Sequence, residues 1–304
     1  MQTRVLTRFW LLAILLAGCR TGAIVTPTPP PPTGNSGAGP SHIFLIVMEN
    51  QEYDQLIGNP QAPYLNQLAH QYTAADDYHA ITHPSLPNYL ALLGGNTFGI
   101  RSNCTDCFID QPNLVDELEA KGKRWKSYQE DLPTPCFLGS QAGNYVLWHD
   151  PFLYFQDIRT NPSRCHQVVP LTQLSVDLQR GELPDFVWIT PNLIHDMHKG
   201  SVTDGDRWLA AFVPQILSSA AWQQNGLLVI TWDEGESNSG CCDLAAGGHV
   251  PLLALTPQHK GGSQIMEPAT HYHLLRTIED LWKLDHLAQS ADQAVGPLPG
   301  MFLP

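Results

Sequence analysis

Residues 42–50 read His-Ile-Phe-Leu-Ile-Val-Met-Glu-Asn, a near-continuous apolar run closed by a carboxylate and an amide. A run with no polar alternation fits a strand buried on both faces, as in parallel sheets. Three further runs have the same character, at 185–190 (DFVWIT), 226–232 (GLLVITW) and 250–255 (VPLLAL), and 124–128 (RWKSY) is a weaker fifth. Between them, 112–122, 170–180, 204–220 and 271–286 carry apolar residues at helical spacing. Such alternation predicts an α/β fold with a mostly parallel central sheet sandwiched by helices.

The runs end in chemistry. The first stops at Glu49-Asn50, the 185–190 run leads into Pro191-Asn192-Leu193-Ile194-His195-Asp196-Met197-His198, and the 226–232 run into Asp233-Glu234. The last begins just after Gly247-Gly248-His249. Open α/β sheets bind ligands at the carboxyl ends of their strands, so these groups are expected to converge. A single strand-end Asp-Glu pair is most often a cap or a solvated loop. Three polar strand ends in one chain point instead to a site for a hard or borderline divalent cation.

Between the first two strands lies Thr82-His83-Pro84-Ser85-Leu86-Pro87-Asn88-Tyr89-Leu90-Ala91-Leu92-Leu93-Gly94-Gly95. Ser85 reads as a helix N-cap, with Pro87 in the first turn and Gly94 as the stop. A helix N-terminus also offers free N–H groups and positive dipole to an anion. A hydroxyl placed there and ionised by a metal is a nucleophile aimed at phosphate, with the Asn88 amide as a donor to a phosphoryl oxygen.

The chain has 304 residues and a formal charge of −13, which excludes a general nucleic-acid grip. Its start is a processing signal: Arg4 and Arg8, an apolar run at 9–16, then Leu16-Ala17-Gly18-Cys19. That ending resembles a bacterial lipobox, in which Cys19 is lipidated; cleavage for ordinary secretion is the alternative. Removal of 1–18 takes away two arginines and leaves a charge of −15. Residues 19–40 are a Pro/Gly-rich spacer, and 41–304 form one catalytic domain on an exported, membrane-anchored protein of the cell surface or periplasm. Membrane contact is through the lipid anchor alone.

Six cysteines remain: Cys104, Cys107, Cys136, Cys165, Cys241 and Cys242. In an exported chain an even set reads first as disulfides, with Cys136–Cys165 the favoured pair. Zinc held by Cys104, Cys107, Cys241 and Cys242 is the alternative, against the usual ligand spacing. In the middle of the chain, His149 and Arg207 read as groups that grip the nonreacting part of a substrate, and Trp148 and Phe152 as core.

Together MENQEYD (48–54), HPSLPNY (83–89), TPNLIHDMH (190–198), TWDEGES (231–237) and GGHVP (247–251) resemble the acid phosphatase and phospholipase C phosphoesterase family, within the alkaline-phosphatase-like superfamily. The resemblance spans roughly 42–287. It implies that Ser85 is the attacking hydroxyl, followed by Asn88, and that Glu49, Asp233 and Glu234, with Asn50 beside them, hold a divalent metal. Ser85 then attacks phosphorus in line, and water hydrolyses the phosphoserine. His83, His195 and His249 are candidates to stabilise charge or protonate the leaving oxygen. Asp196 and His198, with His249, are candidates for a second metal, and one or two ions per chain stay open. A sulfatase is disfavoured, because no cysteine stands in the frame that becomes formylglycine. The expected substrates are phosphate monoesters, phosphoinositides or nucleotides among them. A phospholipase C acting on a phospholipid head group, and a surface lipoprotein that keeps the fold without catalysis, are the alternatives.

Overall fold

The five apolar runs are strands, at the expected places to within two residues. The computed structural model describes residues 39–242 and 245–302, together with Gln2; the export signal, Cys19 and all of the spacer but Gly39 and Pro40 lie outside the described residues. The central sheet is built from β1 (Ile43–Met48), β2 (Thr73–Ala75), β3 (Trp125–Gln129), β4 (Val168–Pro170), β5 (Phe186–Thr190), β6 (Leu227–Trp232), β7 (Leu252–Leu255) and β8 (Ser263–Ile265). Their order is β8-β2-β7-β6-β1-β5-β3-β4. Every residue of β1, β5 and β6 is buried, as continuous hydrophobic runs in a two-sided sheet must be.

The five strands from β6 to β4 run parallel, whereas β7 is antiparallel to both β6 and β2. That reversal has a consequence for the site. Because β7 runs backwards, its beginning, Gly247–His249, arrives at the edge where the parallel strands end.

The main helices are α1 (Pro63–Gln71), α2 (Ser85–Gly94), α3 (Leu114–Ala120), α4 (Thr172–Arg180), α5 (Val202–Leu217) and α6 (His271–Trp282). Four match the amphipathic segments read from the sequence. All ten residues of α2 are buried. It packs against α6 and against two short 3₁₀ turns, Leu147–His149 and Pro151–Tyr154. It stops one residue later than expected: Gly94 is its last helical residue and Gly95 the left-handed cap, at φ 69°. A Cβ at Gly95 would stand 2.4 Å from the Leu287 carbonyl oxygen, so only glycine fits there.

Cys136–Cys165 is a disulfide, as favoured, and Cys104–Cys107 is another. The zinc alternative falls with the second bridge, since two of its four thiols are joined to each other. Cys241 and Cys242 carry free thiols.

Candidate active site

Sheet register brings the strand-end groups together. β1 and β6 pair residue for residue from Ile43 opposite Leu227 to Met48 opposite Trp232, so Glu49 and Asp233 emerge side by side. The Asp233 N–H donates to the Met48 carbonyl at 2.9 Å, and the Glu49 N–H to the Asp196 carbonyl at 2.9 Å. Three strand ends are thus tied through their backbones before any side chain takes part.

Ser85 faces this edge from the start of α2. Its hydroxyl donates to Glu234 Oε1 at 3.1 Å or Glu49 Oε2 at 3.3 Å. Glu49, fully buried, also accepts from the Tyr89 hydroxyl at 2.7 Å. His198 Nδ1 lies 3.0 Å from Glu49 Oε2 and 2.7 Å from the Asn50 amide nitrogen. His149 Nε2 stands 3.0 Å from Glu49 Oε1, and its Nδ1 3.3 Å from Asp196 Oδ2. Glu49, His149 and His198 therefore offer three ligand atoms within 4.8 Å of one another. Glu234 also holds His83 Nδ1, while His83 Nε2 donates to the Ser237 carbonyl at 2.8 Å.

Burial and mutual repulsion disfavour charge on the carboxylates of this group. Burial, then the neighbouring Asp196 charge, raises the Glu49 carboxyl well above the usual range. Burial, then Glu49, does the same to Asp233; Glu234 is raised chiefly by burial, and Asp196 is pushed up to about 8 by burial. Burial, with His198 adding its charge, lowers His149 well below its ordinary value. Asp233 Oδ2 is buried with no hydrogen-bond partner, and His149 Nε2, although 3.0 Å from Glu49 Oε1, makes no hydrogen bond to it. Unpaired buried oxygen and nitrogen donors among crowded carboxylates fit a divalent ion of hard or borderline character.

Several expected roles change. Ser85 is the first helical residue rather than the N-cap, which is Pro84. The helix start has few free donors: the Leu86 N–H is taken by Asn103 Oδ1 at 3.0 Å, and Pro87 has none. Asn88 is fully buried, and its amide is engaged with its own loop. Its oxygen accepts from the Ile81 and Thr82 N–H groups at 2.9 and 3.1 Å, and its nitrogen donates to the Thr82 and Pro84 carbonyls at 2.7 and 3.3 Å. It therefore shapes the 81–84 turn in front of Ser85 and has no donor left for a phosphoryl oxygen.

His149, read as a substrate grip, is instead buried among the carboxylates at 2% exposure. Arg207 is not brought to the site: its side chain is 74% exposed on α5 and paired with Asp204 at 3.7 Å. His249 hydrogen-bonds to the Asp76 carbonyl at 2.8 Å and stacks against Tyr53 and His79. Asp196 stands behind His149 and accepts from the His198 N–H at 2.7 Å. His195 lies on the rim, its Nδ1 at 2.8 Å from Glu130 and its ring stacked on Trp208.

Two supports went unread. Tyr89 follows Asn88 in the quoted motif, yet only the helix's pitch turns its hydroxyl back to Glu49. Buried His271 donates from Nε2 to the Asp233 carbonyl at 2.6 Å and accepts from Tyr78 at Nδ1, 2.8 Å away. It is the first residue of α6, with no local sign of function.

A serine hydroxyl at the start of a buried helix, facing strand-end carboxylates across an α/β sheet, defines an alkaline-phosphatase-like architecture. The fold comparison agrees: a protein of the alkaline phosphatase superfamily from Vibrio parahaemolyticus superposes with a TM-score of 0.58 at 14% identity, over 86% of this chain and 70% of its own. The sequence model of the Phosphoesterase family matches residues 59–285, and the chain belongs to that family. It is 33% identical over 249 residues to the phosphatidylinositol-3-phosphatase of Mycobacterium tuberculosis, covering 80% of this chain and 77% of that protein. It is 28% identical over 267 residues to an acid phosphatase of Aspergillus fumigatus, covering 85% of this chain and 58% of that one. The chain spans 58–65% of the length of the fungal acid phosphatases it matches.

Proposed function

We propose that the protein is an exported, metal-dependent phosphomonoesterase that works through a phosphoserine at Ser85. The observation that carries this reading is the Ser85 hydroxyl, held at 3.1 Å from Glu234 and 3.3 Å from Glu49 where three strand ends meet.

Glu49, Asp233 and Glu234, with Asn50, are the residues that would hold the cation, and His149 and His198, beside Glu49, would add nitrogen ligands. A bound divalent ion lowers the pKa of a coordinated hydroxyl and neutralises phosphoryl charge. The rest is done by the chain itself. Glu234 and Glu49 are the two acceptors within reach of the Ser85 proton. His83 faces two acceptors, the Glu234 carboxylate and the Ser237 carbonyl. These two contacts fix the orientation of its ring beside Glu234. The α2 dipole adds positive potential at Ser85. His195, oriented by Glu130 and partly exposed, is the residue we assign to protonate a leaving oxygen.

Family membership and the mycobacterial relative, named as a phosphatidylinositol-3-phosphatase, support phosphoinositides among the substrates. Export with a lipid on Cys19 belongs to the same proposal and is supported by the sequence of residues 1–19.

The test is hydrolysis of an aryl phosphate by the full chain, first chelated and then restored with single divalent cations, beside Ser85→Ala. Turnover that returns with one cation and falls at least about a thousandfold in the variant is expected. Release of phosphocholine from phosphatidylcholine without aryl phosphate turnover would assign a phosphodiesterase instead. No turnover of either ester by folded protein would overturn the enzymatic reading.

A further inference from the structure

The loop between β6 and β7 touches the site and also carries the two free thiols. Near its start the Ser237 N–H donates to Glu52 Oε1 at 2.7 Å, and the Ser237 carbonyl accepts from His83. At its end the His249 N–H donates to Glu52 Oε2 at 3.0 Å. Cross-loop bonds run from the Gly235 N–H to the Gly247 carbonyl at 2.8 Å and from the Gly248 N–H to the Ser239 carbonyl at 2.9 Å. The segment is a clasp closed on Glu52, and Ser237 is the point where it holds His83, which bonds the same Glu234 carboxylate that accepts from Ser85.

The far turn of the clasp is Gly240-Cys241-Cys242. Gly240 passes so near the Ala245 carbonyl oxygen that an added Cβ would stand 1.8 Å from it. The Ala245 N–H donates to the Cys242 carbonyl at 3.2 Å. Within this narrow turn the two sulfurs lie 2.7 Å apart, well inside ordinary non-bonded sulfur contact and short of nothing but the bond itself, which is about 2.05 Å. Cys242 is exposed and Cys241 half-buried. The other four described cysteines are already paired as disulfides, the pattern of a chain that matures under oxidising conditions.

We propose that Cys241 and Cys242 are a modification site, closing to a vicinal disulfide that fastens the 235–249 clasp and, through Ser237, the position of His83. The co-reactant is a small-molecule disulfide of the glutathione type. The exposed Cys242 thiolate attacks one of its sulfurs, forming a mixed disulfide and expelling one thiolate. Cys241 then attacks the Cys242 sulfur and expels the second. Two protein thiols are oxidised, one small disulfide is reduced to two thiols, and the two protein protons end on those thiols. Burial pushes the Cys241 thiol up to about 12, which sets this order of attack. Reduction by excess thiol reverses both steps and frees the turn.

The site is tested on the full chain incubated with oxidised glutathione, alkylated without reduction, digested and weighed. The expected peptide spanning Cys241 and Cys242 is unalkylated and lighter by two hydrogens than the dithiol. If both cysteines are alkylated while Cys104, Cys107, Cys136 and Cys165 stay protected, the proposal fails. The fastening is read by amide hydrogen exchange. Oxidised protein should protect 235–249 at least about tenfold better than the Cys241→Ser, Cys242→Ser double variant, and equal exchange refutes it. The link to turnover rests on the phosphoesterase reading: aryl phosphate kcat should fall about fivefold on mild reduction, to the level of the double variant. The alkylation and exchange results stand without any turnover, so a failure of the enzymatic reading is seen separately.

Discussion

Replacing Asn88 by alanine separates two roles that one motif position can serve. In the structure its amide makes four hydrogen bonds, all to the backbone of residues 81–84. Truncation strands the N–H of Ile81, which has no easy access to water, and weakens the bonds of Thr82 and Pro84, which lie nearer solvent. A buried donor left unpaired costs about 1–3 kcal/mol, and each of the three half-exposed bonds about 0.5–1.5 kcal/mol, so the total is about 5 kcal/mol. At roughly 2–4 °C per kcal/mol for a domain of this size, thermal unfolding followed by circular dichroism should shift down by roughly 10–20 °C. Asn88→Asp keeps both acceptor bonds and loses both donor bonds, so its shift should fall in between. A side chain that served as a phosphoryl donor would behave differently, with turnover reduced by about 10²–10³ and stability unmoved. An alanine variant melting within about 1 °C of the parent refutes the loop-shaping role.

Glu279 gives a pH dependence of stability away from the site. Burial pushes its carboxyl from 4.5 up to about 7, although Ser290 and the Leu287 N–H donate to it. The folded state therefore holds a proton that the unfolded state releases. Stability is full below pH 4.5, declines as pH rises to about 7, and is then lower by at most about 3 kcal/mol. Glu279→Gln should flatten that decline in denaturant titrations at several pH values, and an unchanged slope contradicts the assignment. Asp196→Asn should weaken divalent-cation binding about 10–100-fold by calorimetry, because Asp196 orients His149 and receives the His198 N–H; equal affinity would remove it from that role. Cys136→Ser with Cys165→Ser opens a loop with a sequence separation of 29 and should cost about 3–4 kcal/mol in the same titrations.

What could be read before folding followed the strength of each local signal. β1, β5 and β6 announce themselves because a doubly buried strand needs an unbroken apolar run, and the groups ending those runs had to share an edge. Glu49, Asp233 and Glu234 were legible for that reason, and Ser85 through the helix-start pattern of 82–95. β2, β4 and β8 have three residues each, too few for any periodicity. The reversal of β7 was hidden because buried parallel and antiparallel strands share a composition. His149 sits in a 3₁₀ turn, 100 residues from Glu49 along the chain, and only the packing of that turn on α2 brings it in. Asn88 was placed correctly and given the wrong partners, since a motif records which amide is present and not which backbone it meets.

The Cys136–Cys165 bridge has a further consequence for how the protein behaves in company. β4 is an outer strand of the sheet, three residues long and ending in Pro170, which offers no N–H. The Cys136 N–H donates to the Val168 carbonyl at 3.0 Å, so the loop pinned by the disulfide covers the flank where another chain's strand would add. Cleaving the bridge uncovers a template for intermolecular pairing beside two buried valines. In concentrated protein, self-association would then be the first sign of reduction, ahead of any loss of the fold.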